Sequence, residues 1–446
     1  MTALLLFGLF FILVFLNVPV AISLGLASIT ILFLDNGFAS LGLVPSIMYA
    51  TISSFTLLAI PFFILAGVIM EYAGISKRLI DFANVCVGHR KNGIVLVTVI
   101  TALFFAAISG SGPATVAAIG AILIPALVKN GYPKNIAAGL IASSGSIGII
   151  IPPSIAFIVF AVVANDLVPI TISRLFIAGI IPGLLLGVAL VIAAMFVKKT
   201  NVTQDLKSID SEIAATVNIG KKKSSGKEIA SAFYSAIWGL LIPIIILGGI
   251  YGGIFTPTEA AAVAVFYALI VGLFIYRDLK PKHLPKIFID ASVQTAVVML
   301  IVGAASLFSY IITTKRIAQT ISEAMLAVTE NKILILLMVT VILLIIGAFI
   351  DAISAFYLLV PILLPIMLHI GVDPTTFGVF MTVNLAIGLF TPPVGLNLYV
   401  ASGIARIPLK DITRGTIPFL IASIIVLLLI TYIPALSNWL PDLLDM

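Results

Sequence analysis

Charge is what this chain has least of. Of its 446 residues, 24 are Lys or Arg and 18 are Asp or Glu, 9% in all, against about 25% in an average soluble domain. A water-facing surface for a chain of this length cannot be built from so few ionised groups, and 61% of the residues are hydrophobic. The apolar residues come in blocks of roughly 15 to 25, divided by short polar or Gly/Pro breaks, which is the pattern of spanning helices and not the alternation of a membrane barrel. An all-α polytopic membrane protein is predicted. The single cysteine, Cys86, excludes an intrachain disulfide, and with only His89, His283 and His369 beside it no Cys/His metal cluster is available. The basic residues sit in a few segments and form no stripe interleaved with aromatics, so no nucleic-acid partner is expected. No Gly-x-Ser-x-Gly elbow, G-x4-G-K-[ST] loop or HExxH motif occurs. The reading is of no enzyme, no cofactor, and no transport driven directly by a nucleotide.

What the sequence does contain is a repeat. At an offset of 238, Pro19 meets Pro257, Tyr72 meets Tyr310, and Lys77-Arg78 meets Lys315-Arg316. After a two-residue slip, Pro125 meets Pro365, Gly131 meets Gly371, Gly148 meets Gly388, and Pro152-Pro153 meets Pro392-Pro393. Ordered matches that include a double proline predict two homologous halves, 1–197 and 236–446, joined by a polar cytoplasmic linker at 198–235 whose most charged part is 198–228.

Counting positive charge orients the chain. All basic residues except Arg174, Lys315, Arg316 and Lys332 fall in five segments, 77–91, 129–134, 198–228, 277–286 and 406–414, which are placed in the cytoplasm. The corresponding loops of the other half are poor in Lys and Arg. The halves are therefore expected to be inverted across the membrane, the arrangement that lets a secondary carrier present one central site to either face.

The N-terminal stretch 1–17 has no basic leader or small-residue cleavage site and reads as a retained first helix. Spans follow at 19–34 and 50–73, with a further interfacial or spanning segment at 36–52 left open. Residues 93–128 are too long for one crossing and carry Ser109-Gly110-Ser111-Gly112-Pro113 near the middle, so they read as a re-entrant hairpin, followed by a broken helix at 134–165 and a return span at 175–197. The second half repeats this with 236–252, 257–276, 290–313, a hairpin at 333–369, a broken helix at 374–405 and 415–435. The total is about 10–11 transmembrane helices, two hairpins and two broken helices, with both termini outside.

An unwound backbone in hydrocarbon is costly unless it lines a wet or protein-filled space, so the site is expected at the breaks. One cluster joins Ser109–Ala114 to Ser143–Ser154; the other joins Gly347–Ser354 to Ile387–Gly395. Hydroxyls and backbone carbonyls are neutral, hard ligands suited to Na⁺, while half-helix N-termini supply partial positive charge for a carboxylate. The small residues also suit plain helix packing. Asp351, a carboxylate in an apolar segment, is either a cation or substrate ligand or a hydrogen-bonded stabiliser of the hairpin tip. Thr256-Pro257-Thr258-Glu259 reads as a capping box, and Asp373-Pro374 as a helix start. Glu71 and Arg174 are expected at the interface.

At SGSGPATVAAIGAILIPALVKNGYP, SIGIIIPPS, GIFTPTEAAAVAVFYAL and LFTPPVGLNLYVASGIA the sequence resembles the large membrane subunit of tripartite ATP-independent periplasmic (TRAP) transporters, over essentially its whole length. The resemblance implies a bacterial inner-membrane uptake system driven by Na⁺, working with a small four-helix membrane subunit and a periplasmic substrate-binding protein. Its substrates would be carboxylates such as C4-dicarboxylates, sialic acids or keto acids, moved by an elevator mechanism in the lipid bilayer. Carried over by motif, one Na⁺ site would comprise Ser109, Ser111, Gly148, Ile151 and Pro153, and the repeat places a second at Gly347, Asp351, Gly388, Thr391 and Pro393. Gly112, Pro113, Ser144, Ser154, Ser354 and Pro392, in the same clusters, are assigned to the substrate region. Two other readings stay open: a stand-alone Na⁺/dicarboxylate symporter of similar architecture, and an intramembrane hydrolase using Ser109 or Ser111.

Overall fold

A computed structural model describes residues 2–197 and 224–444. Most of the linker expected at 198–235 lies outside the described residues. The described part of the linker corrects its boundary, because a helix begins at Gly226: Ser225 accepts from the Glu228 N–H while the Glu228 carboxylate accepts from the Ser225 N–H, a capping box that starts the helix about ten residues early.

The first half comprises α1 (Thr2–Phe15), α2 (Val20–Asn36), α3 (Leu43–Ile52), α4 (Ala59–Tyr72), α5 (Ile75–Val87), α6 (Gly93–Ser109), α7 (Gly112–Lys129), α8 (Lys134–Gly145), α9 (Ile155–Ala164) and α10 (Ile172–Phe196). The second comprises α11 (Gly226–Tyr251), α12 (Pro257–Ile270), α13 (Leu284–Thr314), α14 (Ile317–Val328), α15 (Lys332–Gly347), α16 (Ala352–His369), α17 (Pro374–Gly388), α18 (Leu396–Ala405), α19 (Leu409–Tyr432) and α20 (Ala435–Leu443). No strand occurs among the described residues. Eight of the described helical stretches have 18 residues or more and are apolar enough to cross a membrane. Large apolar side chains such as Phe15, Phe196, Phe274 and Leu4 are exposed around the outside, as lipid-facing residues must be.

The expected long elements are present: α6 and α7 form one helical hairpin, α15 and α16 a second, and α8/α9 and α17/α18 are the two broken helices. Lys332 Nζ donates to the Gly371 carbonyl at 2.9 Å, so the second hairpin enters and leaves on one face. The capping box at Thr256/Glu259 and the Asp373 cap of α17 are both formed.

Three helices depart from the reading of the sequence. The segment 77–91, taken as a basic loop, is mostly helix α5, whose Ile75, Leu79, Ile80 and Ala83 are buried on one side. Its counterpart α14 buries Ile317, Ala318 and Met325. Both are amphipathic and too short to span, so a search for continuous apolar runs passes them over. The third, α20, is held by an Arg174–Asp442 ion pair at 2.8 Å and by Asn438 donating to Asp373 at 3.2 Å. Arg174 thus serves packing. Lys315, the basic exception, pairs with Asp35 at 2.7 Å.

The repeat is legible in the packing. α2 lies on α13 as α12 lies on α4; α9 lies on α16 as α18 lies on α7; α10 lies on α17 as α19 lies on α8. The α8/α19 crossing is close because Gly139 and Gly415 meet backbone to backbone: a Cβ on Gly139 would stand 2.8 Å from the Gly415 carbonyl. Several contacts break the symmetry, one of them at the hairpins. α13 packs against α16, while its counterparts α4 and α7 are separated by a cavity.

Candidate functional site

The first hairpin turns at Gly110, whose φ of 60° and a Pro153 carbonyl 2.8 Å from any added Cβ both require glycine. α7 then begins at Gly112, with Ser111 in the N-cap position but making no side-chain cap bond. The Ser109 and Thr115 hydroxyls lie 2.9 Å apart, and Thr115 donates to the Ser111 carbonyl at 2.8 Å. Gly148, in the break of the first broken helix, rests directly on this knot: an added Cβ would stand 2.6 Å from the Ser111 carbonyl oxygen and 2.7 Å from Thr115 Oγ1. Ser109, Ser111, Gly148 and Pro153 are therefore brought together as the sequence suggested. Ile151 lies in the same break, its side chain against Gly183 of α10. Thr115 was missed, although it lies one turn beyond Ser111 on α7 and so on the same face.

In the second cluster Gly388 meets the backbone of Gly347, with an added Cβ 2.7 Å from the Gly347 Cα, and the Val394 N–H donates to the Ala348 carbonyl at 3.2 Å. Thr391 donates to Ile387 at 2.7 Å within its own turn. Asp351 is the N-cap of α16: its carboxylate accepts from the N–H groups of Ile353 (2.9 Å) and Ser354 (3.0 Å) and from the Ser354 hydroxyl (2.5 Å). Of its two sequence readings, the geometry forms the tip stabiliser. The Pro152-Pro153 and Pro392-Pro393 peptides, one in each break, are both cis.

The two tips share one cavity of about 450 Å³, bounded by α4, α13, the Ser109–Ala114 turn, the start of α9 and residues 351–353. Its polar lining includes Ser109, Ser111, Gln294, Asp351 and Glu71, and no Lys or Arg is among the lining residues. Glu71, exposed near the end of α4 as expected, also lines the cavity. Beside it the Tyr72 hydroxyl donates to Asp290 at 3.1 Å, joining the end of α4 to the start of α13. Of the residues assigned to the substrate region, Gly112 and Pro113 line the cavity, while Ser144, Ser154, Ser354 and Pro392 do not. Ser154 caps α9 by accepting from the Phe157 N–H at 3.3 Å, and Ser354 is taken up by Asp351.

The offset of 240 places Ser111 and Asp351 at the same position, the N-cap of the second helix of each hairpin. In α16 a carboxylate of the chain itself satisfies the helix N-terminus. In α7 no side chain does, and Gly112 and Ala114, which carry the first N–H groups of that helix, are among the residues lining the cavity.

Residues 7–436 match the family described as Tripartite ATP-independent periplasmic transporter, DctM component. The chain is 44% identical over 431 residues to an isethionate TRAP transporter permease protein, DctMQ, of Oleidesulfovibrio alaskensis, covering 97% of this chain and 65% of that protein, so it spans just under two thirds of that relative. It is 42% identical over 399 residues to the C4-dicarboxylate TRAP transporter large permease protein DctM of Pseudomonas aeruginosa, covering 90% and 89% of the two. Among solved structures, the Alcanivorax borkumensis YdaH transporter shares the fold with a TM-score of 0.61, at 14% identity, over 92% of this chain and 90% of that one.

Proposed function

The chain belongs to the DctM family of tripartite ATP-independent periplasmic transporters, and on that premise we propose that it carries a small organic acid inward across the inner membrane, coupled to Na⁺. The observation that carries this reading is the uncapped N-terminus of α7, opening on a cavity whose lining holds two carboxylates and no cationic side chain. The partial positive charge of a helix end favours an oxyanion by about 0.3–1 kcal/mol at exposed sites and more where it is shielded. Glu71 and Asp351 work against that charge. An organic anion enters such a cavity when a cation enters with it, and the Ser109/Ser111/Thr115 oxygens with the Gly148 and Pro153 backbone offer hard, neutral ligands a few ångströms away. Coupling then follows from charge balance.

The second ion would bind where Gly347 and Gly388 meet, with Thr391 and Pro393 beside them. Asp351 contributes there by holding the tip, its oxygens being engaged in the cap. The helix-end donors accept a carboxylate or a sulfonate equally, which fits relatives named for C4-dicarboxylates and for isethionate. The same neutrality explains why no substrate signature stands in the side chains.

The hairpins, the broken helices, α10 and α19 would move as one body against α1–α5 and α11–α14. The α13/α16 contact and the α4/α7 gap are then the two sides of one position along that path, with the halves inverted in the membrane as the basic loops indicate. A small membrane subunit and a periplasmic binding protein complete the transporter; the DctMQ relative, of which this chain covers 65%, would carry its small subunit fused.

Reconstituted with those partners, uptake should require both Na⁺ and the binding protein. Uptake at full rate with K⁺ replacing Na⁺ would reject the coupling, and full-rate uptake without the binding protein would favour the stand-alone symporter.

A further inference from the structure

A second cavity, of about 570 Å³, lies against the other end of α13. Residues 293–301 of α13 line the first cavity and residues 306–313 line this one. With 31 residues, α13 is about 45 Å long and crosses the full membrane, so the cavities open toward opposite faces. The basic segment at 277–286 marks the first as cytoplasmic and the second as outer.

The repeat relates the two openings. At an offset of 238, Glu71 corresponds to Ser309, Tyr72 to Tyr310, and Gln294 to Thr56; Ser309, Tyr310 and Thr56 all line the outer cavity. Asp290, which Tyr72 bonds on the inner side, corresponds to Ile52. The inner mouth is thus acidic where the outer mouth is hydroxylic. Asp166 is the one carboxylate lining the outer cavity, and no Lys or Arg lines it. Burial pushes the Asp166 carboxyl up, so it takes a proton more readily than a surface aspartate.

Tyr357 of α16, six residues past the Asp351 cap, also lines this cavity. Its side chain is only 4% exposed and its hydroxyl makes no hydrogen bond. A buried hydroxyl left unpaired is costly, and Tyr357 is among the residues lining this cavity, so a ligand whose arrival uncovers that oxygen would pair it. The volume lies within the roughly 300–1,000 Å³ of small-molecule sites and far exceeds what a bare ion fills.

We infer that this outer cavity is a receiving site for the organic acid, in which the Tyr357, Ser309 and Thr56 hydroxyls hold its oxygens before it reaches the tip of the first hairpin. The inference rests on the carrier reading above. It adds a direction to it: these hydroxyls and one carboxylate, Asp166, line the outer side against two carboxylates, Glu71 and Asp351, on the inner side, so an anion binds more tightly on the side from which it arrives.

The test uses the complete transporter in proteoliposomes and whichever of succinate, N-acetylneuraminate or isethionate the unaltered assembly takes up. Tyr357→Phe, and Tyr357→Phe with Ser309→Ala, should raise KM by about 3- to 10-fold per hydrogen bond lost while leaving maximal rate and Na⁺ titration in place. Separately, Ser309→Cys in a Cys86→Ser background should react with a membrane-impermeant maleimide added outside, and the acid should slow that reaction. An unchanged KM in the double variant, or labelling slowed by Na⁺ alone and not by the acid, would overturn the proposal while the carrier reading stands. An unaltered assembly that takes up none of the three acids would instead count against the carrier reading.

Discussion

Gly148→Ala is the sharpest probe of the proposed first ion site. The added methyl carbon would stand 2.6 Å from the Ser111 carbonyl oxygen, 2.7 Å from Thr115 Oγ1 and 2.9 Å from the Ser111 carbonyl carbon. None of these is the loose end of a flexible side chain: two are backbone, and Thr115 is fixed by its bond to Ser111. To restore ordinary contact near 3.4 Å, the hairpin tip must retreat from the broken helix by about 0.8 Å. Ion sites tolerate displacements of about 0.2 Å, so the oxygen set would no longer close on one cation. Overpacking of this kind costs about 1–3 kcal/mol. If that cost falls on the ion-bound form, the Na⁺ concentration giving half-maximal uptake rises by about 5- to 150-fold. The assay is a Na⁺ titration of uptake in proteoliposomes at matched protein content. Gly8→Ala is the control, since nothing lies within 4 Å of a Cβ there. An unmoved Na⁺ midpoint in a folded Gly148→Ala protein would refute the assignment of this knot as an ion site.

Three further outcomes are expected. Asp351→Ala should lower stability by about 0.5–2 kcal/mol through loss of the α16 cap, while Asp351→Asn, an equally good cap, should not; thermal unfolding in detergent distinguishes them, and equal losses would reject the capping role. Because the Asn variant keeps the fold, any change in its Na⁺ titration reports the charge alone. Glu71→Gln removes a carboxylate from the cavity wall and should lower KM for the transported acid several-fold, so a raised KM would place the anion elsewhere. Arg174→Ala breaks a pair whose partner Asp442 is 61% exposed and a 2.9 Å hydrogen bond to Thr375, so stability should fall by about 1–2 kcal/mol, and limited proteolysis should now reach α20; a protected α20 would show that the other contacts suffice.

The long elements were legible because membrane helices need long apolar runs. A 36-residue run with Ser-Gly-Ser-Gly-Pro at its centre admits few structures other than a hairpin, and the two Pro-Pro pairs mark backbone that cannot continue as helix. The offset of about 240 residues supplied the architecture, since matched breaks imply matched elements. Amphipathic α5, α14 and α20 escaped because their signal is a one-sided stripe over 9 to 13 residues, which charge counting reads as loop. That Glu71 also lines the cavity was not legible, because nearness to a helix end says nothing about which neighbour that end faces, and α13 begins more than 200 residues further along the chain. Thr115 was within reach, since its i+4 spacing from Ser111 sets its hydroxyl over the Ser111 carbonyl.

The two hairpin tips occupy matched positions in the repeat but differ in how their second helix is capped, and under the proposed function that difference divides their labour. Where the second tip has Asp351, the first has Ser111; where the second break has Thr391, the first has Ile151. A fixed carboxylate at the α16 N-terminus satisfies the helix permanently and ties that tip down, consistent with its close packing against α13. A serine that makes no cap bond leaves the α7 N-terminus unsatisfied by the chain's own side chains, which is what the proposed anion site requires. Putting an aspartate at position 111 should therefore be more damaging than removing the serine: Ser111→Ala leaves the helix end free, whereas Ser111→Asp supplies a tethered carboxylate that occupies it, as Asp351 does in its own half. Uptake measured across a range of acid concentrations separates the two, because a tethered competitor depresses uptake at low acid far more than alanine does. If Ser111→Asp transports at least as well as Ser111→Ala at every concentration, the α7 N-terminus is not where the substrate's oxyanion sits.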